Sequence, residues 1–228
     1  MGGMRIVIAG GHGQIALLLE RQLSDKGHDP IGIIRNPDQA ADLEEAGARA
    51  LVLDLESTDV DTLAGHLDGA DAVVFAAGGG GSSGAERKLT IDRDGAILLA
   101  DAAEQAGVTR YVMVSAIHTD DFDESRAQLG TDATDAFQVY LRAKSEADAD
   151  LRARSDLDWT IVRPGTLTDE APTGLISVGK RLETGSIPRA DVATIIATAL
   201  EEGTAVHTQF ETISGEATIS DALVAIRY

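Results

Sequence analysis

Tyr140-Leu141-Arg142-Ala143-Lys144 places a phenol and an ammonium four residues apart in a stretch with helical spacing, so both fall on one helix face. Such a pair is suited to proton transfer. An ordinary phenol titrates near pH 10, and use at neutral pH calls for a lowering of roughly three pH units, about 4 kcal/mol. A neighbouring ammonium works in that direction. The pair is only modestly informative alone, and its position among the other elements supplies most of its weight.

The second chemical feature is a glycine turn. Ile6-Val7-Ile8-Ala9 runs directly into Gly10-Gly11-His12-Gly13-Gln14-Ile15-Ala16 and then into Leu17-Leu18-Leu19. The residues read as G-x-G-x-x-A from Gly11 and as G-x-x-G-x-x-A from Gly10. Strand, turn and helix in this order suit a dinucleotide pyrophosphate. Glycine permits the tight turn and close backbone approach, and the free amides at the helix start face the anion. Gly10, Gly11, His12, Gly13, Gln14 and Ile15 are assigned to a nicotinamide dinucleotide on this basis.

At the end of the second strand the chain reads Ile33-Ile34-Arg35-Asn36. An NAD site commonly carries an acid there for the ribose 2′-hydroxyl, whereas Arg35 offers a guanidinium to a 2′-phosphate. NADP is favoured, with NAD second. Asp54, after Leu51-Val52-Leu53, is placed to accept from the adenine amino group, although an Asp in a turn is equally ordinary. Leu55, Ala76, Ala77, Gly78 and Val114, at the strand ends, complete the positions assigned to the cofactor from the carboxyl edge of a sheet. A positive nicotinamide ring would join Lys144 in lowering the Tyr140 pKa.

The elements that must position these groups follow from periodicity. Arg5 to Ala9, Asp29 to Ile34, Ala50 to Asp54, Ala72 to Ala76, Tyr111 to Ser115 and Trp159 to Arg163 read as strands. Helical spacing marks Gly13 to Lys26, Pro37 to Ala46, Val60 to Leu67, Leu89 to Ala106 and Ala136 to Arg154. A further helix is expected from Ser186 to Glu201, opened by Pro188, and a strand near Gln209 to Ile213. Six strands alternating with helices, each crossover right-handed, predict an α/β fold with a doubly wound, mainly parallel sheet of the Rossmann kind. Two segments break the rhythm. Gly78 to Gly84, GGGGSSG, favours mobility and close approach to a ligand. His118 to Asp135 holds five Asp and one Glu without ligand spacing and reads as a solvated loop.

Bulk properties bound the partners. The chain has 228 residues, 43% of them hydrophobic, enough for one sizeable core, and residues 1–228 are read as one domain. A net charge of -19 opposes a nucleic-acid partner and also opposes any anionic ligand, so a dinucleotide must be held by concentrated local donors. No apolar run is long enough for a membrane span and no signal peptide is apparent, which makes a cytoplasmic location and no membrane partner the expectation. The absence of cysteine removes thiolate metal sites and cysteine nucleophiles, and five scattered histidines suggest no metal site.

The glycine turn, Arg35, Tyr140 with Lys144, and Arg163-Pro164-Gly165 at the end of the sixth strand together resemble the short-chain dehydrogenase/reductase superfamily. The resemblance is to its atypical, extended-like branch of small NAD(P)-binding proteins, of the NAD-dependent epimerase and NmrA-like type, and covers essentially the whole chain. Thr90-Ile91-Asp92-Arg93-Asp94-Gly95, Asp101-Ala102-Ala103 and Gly107-Val108 are similar to the helix preceding the fifth strand in this branch. The resemblance implies that Tyr140 is the general acid/base and that Lys144 binds the nicotinamide ribose while lowering the tyrosine pKa. It also implies that a serine near the end of the fifth strand polarises the substrate carbonyl. Ser115 is the serine at that place, twenty-five residues before Tyr140, but it is followed by Ala116, Ile117 and His118 instead of a serine-rich run. Should Ser115 support the strand end, Thr119 or a backbone amide would contact the substrate oxygen. Arg163-Pro164-Gly165 would carry the chain over the nicotinamide, Pro164 fixing its direction and the following amides, of Gly165 and Thr166, meeting the carboxamide. Pro188-Arg189-Ala190-Asp191-Val192-Ala193 resembles the start of a late helix and is assigned a structural role.

Thr166 to Gly185 leaves twenty residues for a substrate lobe, so residues 166–187 and the carboxyl-terminal end predict a small or open pocket. The expected function is an NADP-dependent oxidoreductase that moves hydride to a small carbonyl, quinone or similar acceptor, acting as a monomer or homodimer. Two alternatives differ in class. One is a non-catalytic NAD(P)-sensing regulator of the NmrA-like type, which commonly lacks the tyrosine and lysine pair. The other is a sugar-type epimerase or dehydratase that retains its cofactor.

Overall fold

A computed structural model describes residues 2–78, 87–127 and 133–226, with the side chains of residues 88, 133 and 134 left aside. Strand β1 (Arg5–Ala9) sends Ile6 and Ile8 to one face and Val7 and Ala9 to the other, and all four are fully buried. A strand apolar on both faces must lie inside a sheet covered on both sides. Helix α1 (Gln14–Asp25), β2 (Asp29–Ile34), a 3-10 turn over Pro37–Gln39, α2 (Ala40–Glu45) and β3 (Arg49–Val52) follow. Next come α3 (Val60–Leu67), β4 (Ala72–Phe75), a π-helical segment over Lys88–Gly95, α4 (Ala96–Ala106) and β5 (Arg110–Val114). Helix α5 (Ala133–Ala153) and β6 (Asp158–Pro164) complete the doubly wound part.

These six strands are parallel in the order β3-β2-β1-β4-β5-β6, the architecture expected from the alternation of strands and helices. The order reverses between β1 and β4, where a crevice opens at the carboxyl ends. Ala9 pairs with Ile33 on one side and Phe75 on the other, which brings Gly10 beside Ile34-Arg35 and beside Ala76-Ala77. On one face α1, through Ala16, Leu19 and Leu23, shares a core with Val192, Ile195 and Ile196. On the other face Leu63 and Leu67 of α3, Leu99 and Ala103 of α4, and Ala147 and Leu151 of α5 form the second core.

The carboxyl-terminal third differs from the expected appended lobe. β7 (Thr166–Thr168) pairs with β9 (Ser186–Pro188) in a small parallel sheet, so Ser186 to Pro188, expected to open a helix, are extended. Proline fits both positions, since its fixed φ suits a strand edge as well as a first helical turn. Helix α6 (Arg189–Glu201) starts only afterwards. β10 (Thr208–Ser214) joins β6 in parallel, and β8 (Leu175–Gly179) and β11 (Ala217–Thr218) extend the same sheet before α7 (Ile219–Ala225). Asp191, fully buried near the start of α6, accepts from the amides of Thr173 and Gly174 at 3.0 and 2.9 Å and so anchors this region. Residues 79–84 of the glycine-rich run and 128–132 of the acidic stretch lie outside the described residues.

Candidate active site

The turn after β1 is built for close approach. Gly10 has φ +83°, and a Cβ there would stand 2.6 Å from Ala77 Cα; one on Gly11 would stand 2.6 Å from Gly32 Cα. Any side chain at these positions would push the turn off the sheet edge. Gly11 N donates to Ile33 O and Gly13 N to Gly10 O, at 2.9 and 2.8 Å, fixing the loop. Gly13 is the N-cap of α1, which has no side-chain cap and no acid in its first turn. The leading end of α1 therefore keeps its positive dipole for an anion. His12 Nε2 lies 2.7 Å from Asp42 Oδ2, which orients the imidazole over the turn.

A cleft of about 320 Å³ runs along the strand ends. It brings together Gly10, His12, Gly13, Arg35, Asp54, Leu55, Ala76, Ala77 and Gly78, all assigned to the cofactor from sequence. Gly11, Gln14, Ile15, Val114, Lys144, Pro164, Gly165 and Thr166 do not line it. Asn36, Gln39, Glu56, Arg87 and Ile91 do, and sequence reasoning missed them. Glu56, two residues past Asp54, was the one with a legible signal, an acid beside the expected 2′-phosphate site. The Arg35 guanidinium, assigned to a 2′-phosphate, pairs with Glu56 at 3.0 Å. Asp54 Oδ1 accepts from Glu56 N at 3.0 Å, so this carboxylate holds its own turn.

Beside the cleft, Lys144 is 3% exposed. Its Nζ lies 3.2 Å from Asp92 Oδ1, donates to Val114 O at 3.1 Å and sits 5.5 Å from the Phe75 ring centroid. Burial alone would lower its pKa, but Asp92 and the Tyr140 phenol outweigh burial and raise it. Lys144 therefore stays charged. Tyr140 is partly buried, its ring stacked on Phe137 with centroids 6.1 Å apart. Burial pushes the Tyr140 pKa above its ordinary value; Lys144 opposes this, and Asp92 and Asp148 add to it. The lowering expected from Lys144 is thus reversed in the protein alone, because burial and two carboxylates offset one ammonium. The phenol keeps its proton and is suited to give it.

Ser115 is placed differently from the expectation. Its hydroxyl, 4% exposed, donates to Asp148 Oδ2 at 2.8 Å. A serine has one proton to donate, so this geometry does not offer it to a substrate carbonyl. Asp148 is fully buried and accepts from Arg163 Nε at 2.8 Å, while Arg163 Nη1 donates to Asp120 at 2.7 Å. Burial pushes the Asp148 pKa up, and Arg163 and Ser115 pull it back. Thr119, the alternative donor, is fully buried against the same carboxylate at 3.5 Å. Replacing Ser115 with Ala is accordingly expected to cost about 1–3 kcal/mol in urea denaturation. A hundredfold loss of turnover at unchanged stability would restore the polarising role.

The strand-end stretch also needs correction. Gly165 N donates to Thr212 O and Thr166 N to Gly185 O, both at 2.9 Å, and Pro164 O accepts from Ile117 N at 2.9 Å. The amides assigned to the carboxamide are engaged within the protein, because β10 and the chain entering β9 were not foreseen as their neighbours.

A parallel sheet with its crevice at the order reversal, a glycine turn leading into an uncapped helix and a basic residue at the second strand end define a Rossmann-class dinucleotide-binding protein. The family model described as NAD(P)H-binding matches residues 10–203, and the chain belongs to that family. The uncharacterized sugar epimerase YhfK of Bacillus subtilis is 37% identical over 221 residues, 96% of this chain and 99% of that protein. A Bacillus halodurans structure carrying the name of an NAD-dependent epimerase/dehydratase is 35% identical with TM-score 0.86, covering 98% of this chain and 100% of that one. The oxidoreductase ylbE of Lactococcus lactis is 28% identical with TM-score 0.82, covering 98% and 96%. The family is thus oxidoreductase- and epimerase-like. Among the described residues no helix is long and apolar enough to cross a membrane.

Proposed function

We propose that the protein is an NADP-dependent oxidoreductase of the short-chain dehydrogenase/reductase type that reduces a small carbonyl, quinone or similar acceptor. The observation that carries this reading is the Tyr140 phenol one helical turn from the buried Lys144 ammonium, which Asp92 holds at 3.2 Å. Bound NADPH would supply a hydride. The turn at Gly10, Gly11 and Gly13 with the start of α1 would hold the pyrophosphate, and Arg35 the 2′-phosphate. The fit rests on the glycine cradle, which a Cβ would fill. Tyr140 Oη gives its proton to the acceptor oxygen, and Lys144 stabilises the phenolate left behind.

Titration of the purified protein with NADPH and NADH, followed by absorbance against aldehydes, ketones, quinones and flavins, tests the reading. NADPH binding with turnover of one acceptor class is the expected result. Tight binding without turnover on any acceptor would favour a cofactor sensor. The names of the relatives favour a second reading, an epimerase or dehydratase, and cofactor that survives purification without net hydride transfer would support it.

The raised Tyr140 pKa sets a pH profile for reduction. The phenol must be protonated to act, so the rate should hold from neutral pH to about 10 and fall only above it. An alkaline limb near pH 7–8 in kcat would assign the proton to another group.

A further inference from the structure

At the ribose end of the cleft one carboxylate gathers the cations. Glu56 Oε2 lies 3.0 Å from Arg35 Nη1 and 3.5 Å from Arg87 Nη2, and Glu56 Oε1 accepts from Thr90 Oγ1 at 2.8 Å. The donors come from two places in the chain, Arg35 just past β2 and Arg87 with Thr90 in the segment entering α4, and they close on Glu56 in the turn after β3. Two guanidiniums and a hydroxyl converging on a single anion are the donor set of a phosphate. The side chains of Arg35, Arg87 and Glu56 are 52%, 42% and 24% exposed, so the pairs are solvated and contribute little to stability. Glu56 can leave without disturbing a core.

We propose that Glu56 is a resident anion in the 2′-phosphate subsite, displaced by the 2′-phosphate of NADP, and that Arg87 joins Arg35 as its second ligand. The inference rests on the dinucleotide reading of the cleft. With NAD the carboxylate stays on the two arginines, and nothing is gained by moving it. With NADP a dianion replaces a monoanion, and Glu56 must move out against like-charge repulsion. Glu56 therefore lowers NADP affinity below what the two arginines alone would give, and Arg87 raises it.

Calorimetric titration of the intact protein and its variants with NADPH, NADH, 2′,5′-ADP and 5′-AMP tests this. The two mononucleotides isolate the subsite from the nicotinamide end. Glu56→Gln is expected to tighten 2′,5′-ADP and NADPH by about three- to tenfold and to change 5′-AMP and NADH by less than about twofold. Arg87→Ala is expected to weaken 2′,5′-ADP and NADPH by about tenfold with the same indifference to 5′-AMP. Unchanged selectivity in Glu56→Gln, or equal weakening of all four ligands, would overturn the inference while leaving a dinucleotide site in place. Wild-type protein that binds neither NADPH nor NADH would instead overturn the dinucleotide reading, and this inference with it.

Discussion

Replacing Tyr140 with Phe is expected to lower turnover by about 10²–10⁴-fold, the usual contribution of a positioned general acid. The dissociation constant for NADPH should stay within about twofold, because Tyr140 does not line the cleft and the replacement keeps the ring stacked on Phe137. The hydroxyl alone is removed. Steady-state kinetics on whichever acceptor is turned over, with a parallel fluorescence titration of NADPH, checks both halves, and retained turnover would sink the role. A variant at Lys144 would be a poorer probe. Lys144 neutralises Asp92 in a buried pair, and removing one member of such a pair typically destabilises by about 3–5 kcal/mol, so lost activity would be confounded with lost fold.

A second large effect should come from Glu20, which no part of the proposed chemistry uses. Its carboxyl is fully buried in α1 beneath the glycine turn, and a Cβ on Gly11 would stand 3.1 Å from its Oε1. Neither carboxyl oxygen has a hydrogen-bond partner among the described residues. Burial is the whole cause of a pKa raised from 4.5 to about 8. Below pH 4.5 the group is protonated in both folded and unfolded chains and costs nothing on this account. As pH rises the unfolded chain ionises first, so stability falls progressively until the folded carboxyl also ionises near pH 8. The full loss is on the order of 5 kcal/mol.

Glu20→Gln removes this titration. Its stability relative to wild type is expected to rise between pH 5 and pH 8.5 by a few kcal/mol, on the order of the full loss, in paired urea denaturations. Comparing the two proteins cancels the pH dependence that the many surface carboxylates share. Parallel pH profiles for wild type and variant would show that Glu20 ionises as readily folded as unfolded.

The limits of sequence reading are visible in particular residues. Gly10 to Ile15 were legible as a tight glycine turn opening a helix because strand, turn and helix are contiguous and each residue type has a local conformational reason. Arg35 was legible as a group at the second strand end for the same reason. Its partner Glu56 was not, since twenty-one residues and a whole helix separate them and only the register of β2 with β3 brings them together. Asp92 and Lys144 meet through the packing of α5 on the segment before α4. Ser115, Asp148 and Arg163 meet where β5, α5 and β6 converge. Pro188 was read as a helix opener because its φ suits both conformations, and only the pairing with β7 chose the strand.

By itself the sequence determined the order of strands and helices as far as β6, the parallel doubly wound sheet and the glycine turn, because periodicity and turn chemistry are local properties of the chain. It also placed Tyr140 and Lys144 on one helix face. Tertiary structure alone decided their electrostatics. The direction of the Tyr140 pKa, the engagement of the Ser115 proton and the partner of Arg35 all depend on burial and on charges brought from distant segments, and those terms exist only once the elements are packed.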